Sequence, residues 1–167
     1  MAMKFGSSKD MIFSMGAMLD AVLDHNYILR DGKPSKARSV DELISFYRES
    51  METPDIRIIA KSYLEHPEGF NIEVSSVFLG IDHNFYGTGH PVLYETMVFG
   101  GGGEYNFSDN DEFTRRYTHA EDAAAGHEQT VEEVIQLFMQ HGFSKEDWTV
   151  LTQEGKAHPV AYKAFYV

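Results

Sequence analysis

Apolar positions along the chain switch between two periods, and the switches mark the elements. Met11, Met15, Met18 and Val22 recur at helical spacing, with Ile12, Leu19 and Leu23 beside them. This predicts a first helix from about Ser8 to Asp24, whose methionines pack into the core. Asp31-Gly32 and Pro34 mark a turn. Ser39 with Glu42 three residues on reads as a capping box, and Leu43, Ile44, Phe46 and Tyr47 form the apolar side of a second helix.

The period then falls to two. Ile56 to Tyr63 is rich in β-branched and aromatic residues and predicts a strand. Phe70 to Ile81 predicts a second, with Phe70, Ile72 and Val74 on one face and Asn71 and Glu73 on the other. Val92 to Phe99 predicts a third. Connections this short favour an antiparallel meander. Gly100 to Gly103 opens a glycine-rich, acidic loop that runs to about Tyr117. Thr118, with Glu121 completing its capping box, predicts the start of a long helix that reaches Gln140 and stops at Gly142. Ala120, Ala124, His127, Val131, Val134 and Phe138 make one core-facing stripe along it. Ser144 is expected to cap a short helix holding Trp148, and Pro159 to Val167 reads as a closing strand.

The fold class is therefore α+β: a central antiparallel β-meander packed on one face by a long helix, with an N-terminal helical segment and a C-terminal strand. The whole of 1–167 is expected to form a single domain. Within it, 1–52 is the helical segment, 53–142 the sheet-plus-helix core, and 143–167 the last helix and strand.

Composition narrows the function classes. The chain has no cysteine, which removes disulfides, thiol nucleophiles and zinc–thiolate sites together. No apolar run approaches a membrane span and no secretory signal is recognisable, so a cytoplasmic location is expected. The net charge is −12 and is unevenly spread: residues 62–114 carry nine acids and no Lys or Arg. Such a stretch cannot neutralise phosphates, so nucleic-acid binding through it is not expected; it would attract cations or a basic protein surface.

Three groups of residues carry candidate chemistry. His127 lies within the apolar stripe of the long helix. Glu95 shares a strand face with Leu93, Met97 and Phe99, where partial burial would raise its pKa unless a partner compensates. Both are candidate catalytic residues, and each also has a structural reading: a hydrogen-bonded core-edge histidine, and an ion pair with Arg115 or Arg116. The loop Asp82 to Pro91 adds Asp82, His83 and His90 as candidate binding residues. His83, His90 and Glu95 are nitrogen and oxygen ligands of the kind zinc, manganese or iron accept, but their spacing matches no established motif, and a divalent metal is not the favoured reading. His83, Glu95 and His127 are expected to converge on one polar pocket between sheet and helix. Gly87-Thr88-Gly89 lacks the length and lysine of a phosphate loop, and Asp109-Asn110-Asp111-Glu112 lacks the ligand spacing and central glycine of an EF-hand.

Two segments also carry a resemblance. Val74-Ser75-Ser76-Val77-Phe78-Leu79-Gly80-Ile81-Asp82-His83-Asn84-Phe85 is followed by Gly89-His90-Pro91-Val92-Leu93-Tyr94-Glu95-Thr96-Met97-Val98-Phe99. With Arg116-Tyr117-Thr118-His119-Ala120-Glu121-Asp122-Ala123 and Gly126-His127, this resembles a family of small proteins from tailed bacteriophages and prophages whose function is unknown. The resemblance implies a phage setting and the cytoplasm of an infected or lysogenic bacterial host. It implies no activity and no catalytic residues. The expectation is a small acidic accessory protein that binds a host protein or small ligand, with a counter-defence role in view. The alternative is a small metal-dependent hydrolase using Asp82, His83, Glu95 and His127.

Overall fold

The computed structural model describes residues 18–84, 87–102, 105–107 and 113–154. The element order is helix α1 (the described part being 18–24), strands β1 (Tyr27–Arg30) and β2 (Lys33–Lys36), helix α2 (Val40–Glu52), strands β3 (Ile58–Glu65), β4 (Asn71–Phe78), β5 (Tyr94–Gly102), β6 (Tyr105–Asn106) and β7 (Arg115–Tyr117), helix α3 (Ala120–Gln140) and strand β8 (Thr149–Glu154). The fold is α+β. Strands run in the order β6-β5-β4-β3-β8, with β7 also on β5, and every pairing is antiparallel. Helix α3 packs across β3, β4 and β5 on one face. No helix among the described residues is long and apolar enough to cross a membrane.

Local chemistry explains most boundaries. Ser39 caps α2, its hydroxyl accepting from the Glu42 amide at 3.2 Å. Glu42 reaches back to the Arg38 amide at 2.7 Å, one residue before the position a capping box uses. Helix α3 ends in a Schellman motif: Gly142 takes φ 92°, its amide donates to the Met139 carbonyl, and the Phe143 amide donates to the Phe138 carbonyl. Phe143 then packs on Phe138 with ring centroids 5.6 Å apart, the contact that accompanies this cap.

Several expectations change. Residues 27–36 form a hairpin, not a bare turn: Asp31 and Gly32 both have positive φ, which matches the two-residue turn that right-twisted strands require. The N-cap of α3 is His119, not Thr118, and it makes no side-chain cap bond. The cause lies upstream, where β7 pairs with β5 through Tyr117 and the Tyr117 carbonyl accepts from the Leu93 amide. The chain needs Thr118 to leave the strand. The stretch from Gly100 to Tyr117 is not all loop, since β5 continues to Gly102 and β6 and β7 both pair with it. Trp148 ends a single 3-10 turn, Lys145–Asp147, and strand β8 follows it directly. The expected strand Pro159 to Val167 lies outside the described residues. Met18, Leu19 and Val22 of α1 are exposed, against the core packing expected of that helix, and among the described apolar residues there only Leu23 touches the core; Met11, Ile12 and Met15 lie outside the described residues.

The core is divided. One cluster gathers Phe46, Ile59, Phe78 and Tyr94 around Ala120, Ala123 and Ala124 of α3. The other gathers Leu64, Phe70, Val74, Val98 and Trp148 around Val134, Ile135 and Phe138. His127 and Thr130, both buried, lie on α3 between the two.

Candidate functional site

Alternation decides which strand residues meet α3. On β4 the buried Ile72, Val74, Ser76 and Phe78 share one face; on β5 it is Tyr94, Thr96 and Val98. Among these apolar neighbours stand four hydroxyls: Ser62 on β3, Ser76 on β4, Thr96 on β5 and Thr152 on β8. In register, Ser62 lies opposite Thr152 and Ser76 opposite Thr96. Each pair is hydrogen-bonded, at 2.7 and 2.6 Å.

His127 joins the two pairs. Its Nε2 is 2.8 Å from Ser62 Oγ and its Nδ1 is 2.9 Å from Ser76 Oγ. The result is one continuous chain, Thr152–Ser62–His127–Ser76–Thr96, running across four strands under the helix. A neutral imidazole has one donor and one acceptor nitrogen, and each hydroxyl can both donate and accept. The chain therefore satisfies itself whichever tautomer is present. His127 is 1 % exposed, and burial pushes its pKa down to about 4. It is a neutral structural strut that fixes α3 against the sheet, because a slide along the helix axis would leave buried polar groups unpaired.

Two neighbours hold the strut. Thr130 Oγ1 donates to the Gly126 carbonyl at 2.7 Å and accepts from Arg115 Nη1 at 2.9 Å, while Arg115 also pairs with Glu133. Gly126 is required by contact: a Cβ there would overlap Oη, Cζ and Cε1 of Tyr117. Gly126→Ala should therefore destabilise the fold by about 1–3 kcal/mol, although alanine gains about 1 kcal/mol over glycine in an open helix. Urea denaturation checks this. The same change in a Tyr117→Ala background should be neutral or stabilising, and a stabilised Gly126→Ala single variant would contradict the contact.

The expected convergence of His83, Glu95 and His127 does not occur. Glu95 is flanked by Tyr94 and Thr96, which face α3, so Glu95 projects from the opposite face of β5. There it pairs with Arg116 Nε at 2.7 Å, its cross-strand neighbour. The structural reading of Glu95 holds. Asp82 Oδ1 accepts from the amides of Asn84 at 2.8 Å and Val92 at 2.9 Å, closing the base of its loop. The His83 amide donates to the Val92 carbonyl. His90 packs near His119, ring centroids 6.2 Å apart, and its carbonyl accepts from the Asn84 side chain. Among the described residues no group of three or more His, Asp or Glu side chains is placed to hold a metal, the candidates His83, His90 and Glu95 included.

The other face of the sheet carries a second arrangement. Leu151, Tyr63, Glu73 and Phe99 pair in register across β8, β3, β4 and β5, forming one straight row. Leu151 is 51 % exposed and Phe99 40 %. Lys61 Nζ contacts Glu73 at 2.7 Å. A groove of about 310 Å³ opens along this row, lined by Tyr63, Glu65, Asn71, Glu73, Phe99 and Gly100 among others. Where β5 would next present a side chain on this face it has Gly101, whose φ of 131° and close approach to the Tyr105 carbonyl exclude a Cβ.

No protein-family model matches the chain, and no curated protein or solved structure is detectably similar to it.

Proposed function

We propose that the protein is a partner-binding module, carried by a bacteriophage or prophage as an accessory protein, that engages a host protein through the sheet face turned away from α3. The observation that carries this reading is the row Leu151–Tyr63–Glu73–Phe99, in which two aromatic residues and a leucine stand in line with one carboxylate, Leu151 and Phe99 both exposed. Contiguous exposed apolar surface with a polar rim is characteristic of interaction sites. Aromatic residues are the usual anchors of such contacts. Three of the four residues of the hydrolase alternative are engaged within the fold, which favours the binding reading: His127 by two serines, Glu95 by Arg116 and Asp82 by two amides. The phage setting comes from the sequence resemblance alone.

The test is affinity capture from bacterial lysate, with wild type compared against Phe99→Asp and Leu151→Asp. Both positions are exposed, so both variants should fold, which circular dichroism checks. A partner retained by wild type and lost by both variants is the expected result. Partner retention unchanged by both substitutions would exclude this face.

A further inference from the structure

We infer that the groove between Tyr63 and Phe99 is a receptor for an arginine side chain, presented by a basic segment of the partner. This rests on the outer sheet face being the docking surface.

The geometry comes from the register. Tyr63 on β3 and Phe99 on β5 both stand opposite Glu73 on β4. Two strand spacings separate them, about 10 Å between backbones. That leaves a slot between two aromatic side chains with a carboxylate at its floor. Glu65 and Asn71, themselves paired across β3 and β4, lie at the next position along the same face. Beyond Phe99, Gly101 leaves that end of the slot without a side chain. The groove, at about 310 Å³, is small by the standards of ligand sites and suits one long side chain rather than a cofactor.

The chemistry selects a cation, and among cations a flat one. Aromatic faces attract positive charge through their quadrupoles. The carboxylates of Glu65 and Glu73 add two negative charges, against one positive charge from Lys61. No Lys or Arg occurs between residues 62 and 114, so β4, β5 and the connection from β3 bring no competing base. Lys61 reaches Oε1 of Glu73 at 2.7 Å, so an incoming cation shares or competes for this carboxylate. A guanidinium is planar, stacks between rings and donates in a fork that fits a carboxylate; an ammonium does only the last, as a point charge. The chain's net charge of −12 would draw a basic segment toward this face from a distance.

Lys61 makes the inference sharply testable, because it competes with a cation and would assist an anion. The probe is the peptide acetyl-Gly-Arg-Gly-amide, titrated into the full chain and followed by NMR, with citrulline and glutamate peptides as neutral and acidic counterparts. Saturable shifts centred on Tyr63, Glu73 and Phe99 are expected with arginine. Affinity should fall at least about fivefold with citrulline, in Glu73→Gln and in Phe99→Ala, and should rise about threefold in Lys61→Met. The inference is overturned by arginine shifts that do not saturate, by equal binding of citrulline, or by weaker arginine binding in Lys61→Met. Should the peptide fail while partner capture still depends on Phe99 and Leu151, the occupant is wrong and the docking face stands. Should capture be indifferent to both residues, the docking face falls and this inference with it.

Discussion

Phe138→Ala should lower the free energy of unfolding by about 3–5 kcal/mol, the range for deleting a fully buried phenylalanine ring. Phe138 has no exposed surface. Its ring meets Tyr105 at 4.8 Å, Phe70 and Trp148 at 4.9 Å, Phe143 at 5.6 Å and Phe107 at 6.2 Å, centroid to centroid. These five neighbours come from three separate stretches: the β3–β4 connection, β6 with the residue after it, and the α3–β8 connection. Because these separate stretches would all have to move, collapse into the cavity should be incomplete and the cost should sit in the upper part of that range. Urea denaturation followed by the fluorescence of Trp148, the one tryptophan, measures it directly. Met139→Ala, one residue on and exposed, is the control and should change stability by no more than about 0.5 kcal/mol. A loss below about 1 kcal/mol for Phe138→Ala would mean that α3 is not docked through this ring.

The stripe containing Phe138 was legible in the sequence because a helix on a sheet repeats its apolar positions at three and four. Ala124, His127, Val134 and Phe138 are buried as that spacing requires, and Val131 is half-buried. The strand faces were equally legible on β4, where Ile72 and Val74 alternate with Asn71 and Glu73. The missing information was the phase of β5 relative to α3. The alternation places Glu95, Met97 and Phe99 together, but it cannot say which face of the strand the helix covers when both faces hold large apolar residues. Tyr94, Thr96 and Val98 occupy the covered face, so Glu95 and His127 lie on opposite sides of the sheet.

The hydroxyl chain was missed for a related reason. Ser62, Ser76, Thr96 and Thr152 are single polar residues in strands whose neighbouring core positions are apolar. Each looks unremarkable by itself. The signal was joint: small hydroxyls at core-facing positions on neighbouring strands, with one histidine in the helix stripe above them. A histidine buried at such a place must have polar partners, and serine or threonine at matching depth is the partner to look for. The hairpin at 27–36 was hidden by Pro34, which reads as a strand breaker; it is tolerated here in a short strand of a two-stranded sheet.

Acidification between pH 6.5 and pH 4 should destabilise the protein by on the order of 3 kcal/mol through His127. In the unfolded chain a histidine titrates near 6.5, whereas in the folded protein burial holds His127 down to about 4. Over that window the unfolded state binds a proton that the folded state refuses, so stability is full above about pH 6.5 and falls as the pH drops toward 4. Hydrogen bonding does not oppose the charge, since Ser62 and Ser76 could each accept from an imidazolium and pass their own protons to Thr152 and Thr96. Loss of water around the ring is what opposes it. Arg115 reaches Thr130 and Glu133 one turn along α3 and, being a cation, gives an imidazolium no counter-charge. Glu42, Glu132, Glu133 and Glu146 are held below the ordinary carboxylate range by their hydrogen-bond partners, so their own contributions are lost at lower pH. His127→Gln separates the effects, because its amide can donate and accept between the serines but does not titrate. The variant should be less stable than wild type at pH 7.5 and should lose the slope between pH 6.5 and 4.5. Urea midpoints across that range, with an NMR titration of His127, measure both. An unchanged slope in His127→Gln, or a folded-state titration of His127 near 6.5, would show that the imidazole is hydrated and that the hydroxyl chain does not enclose it.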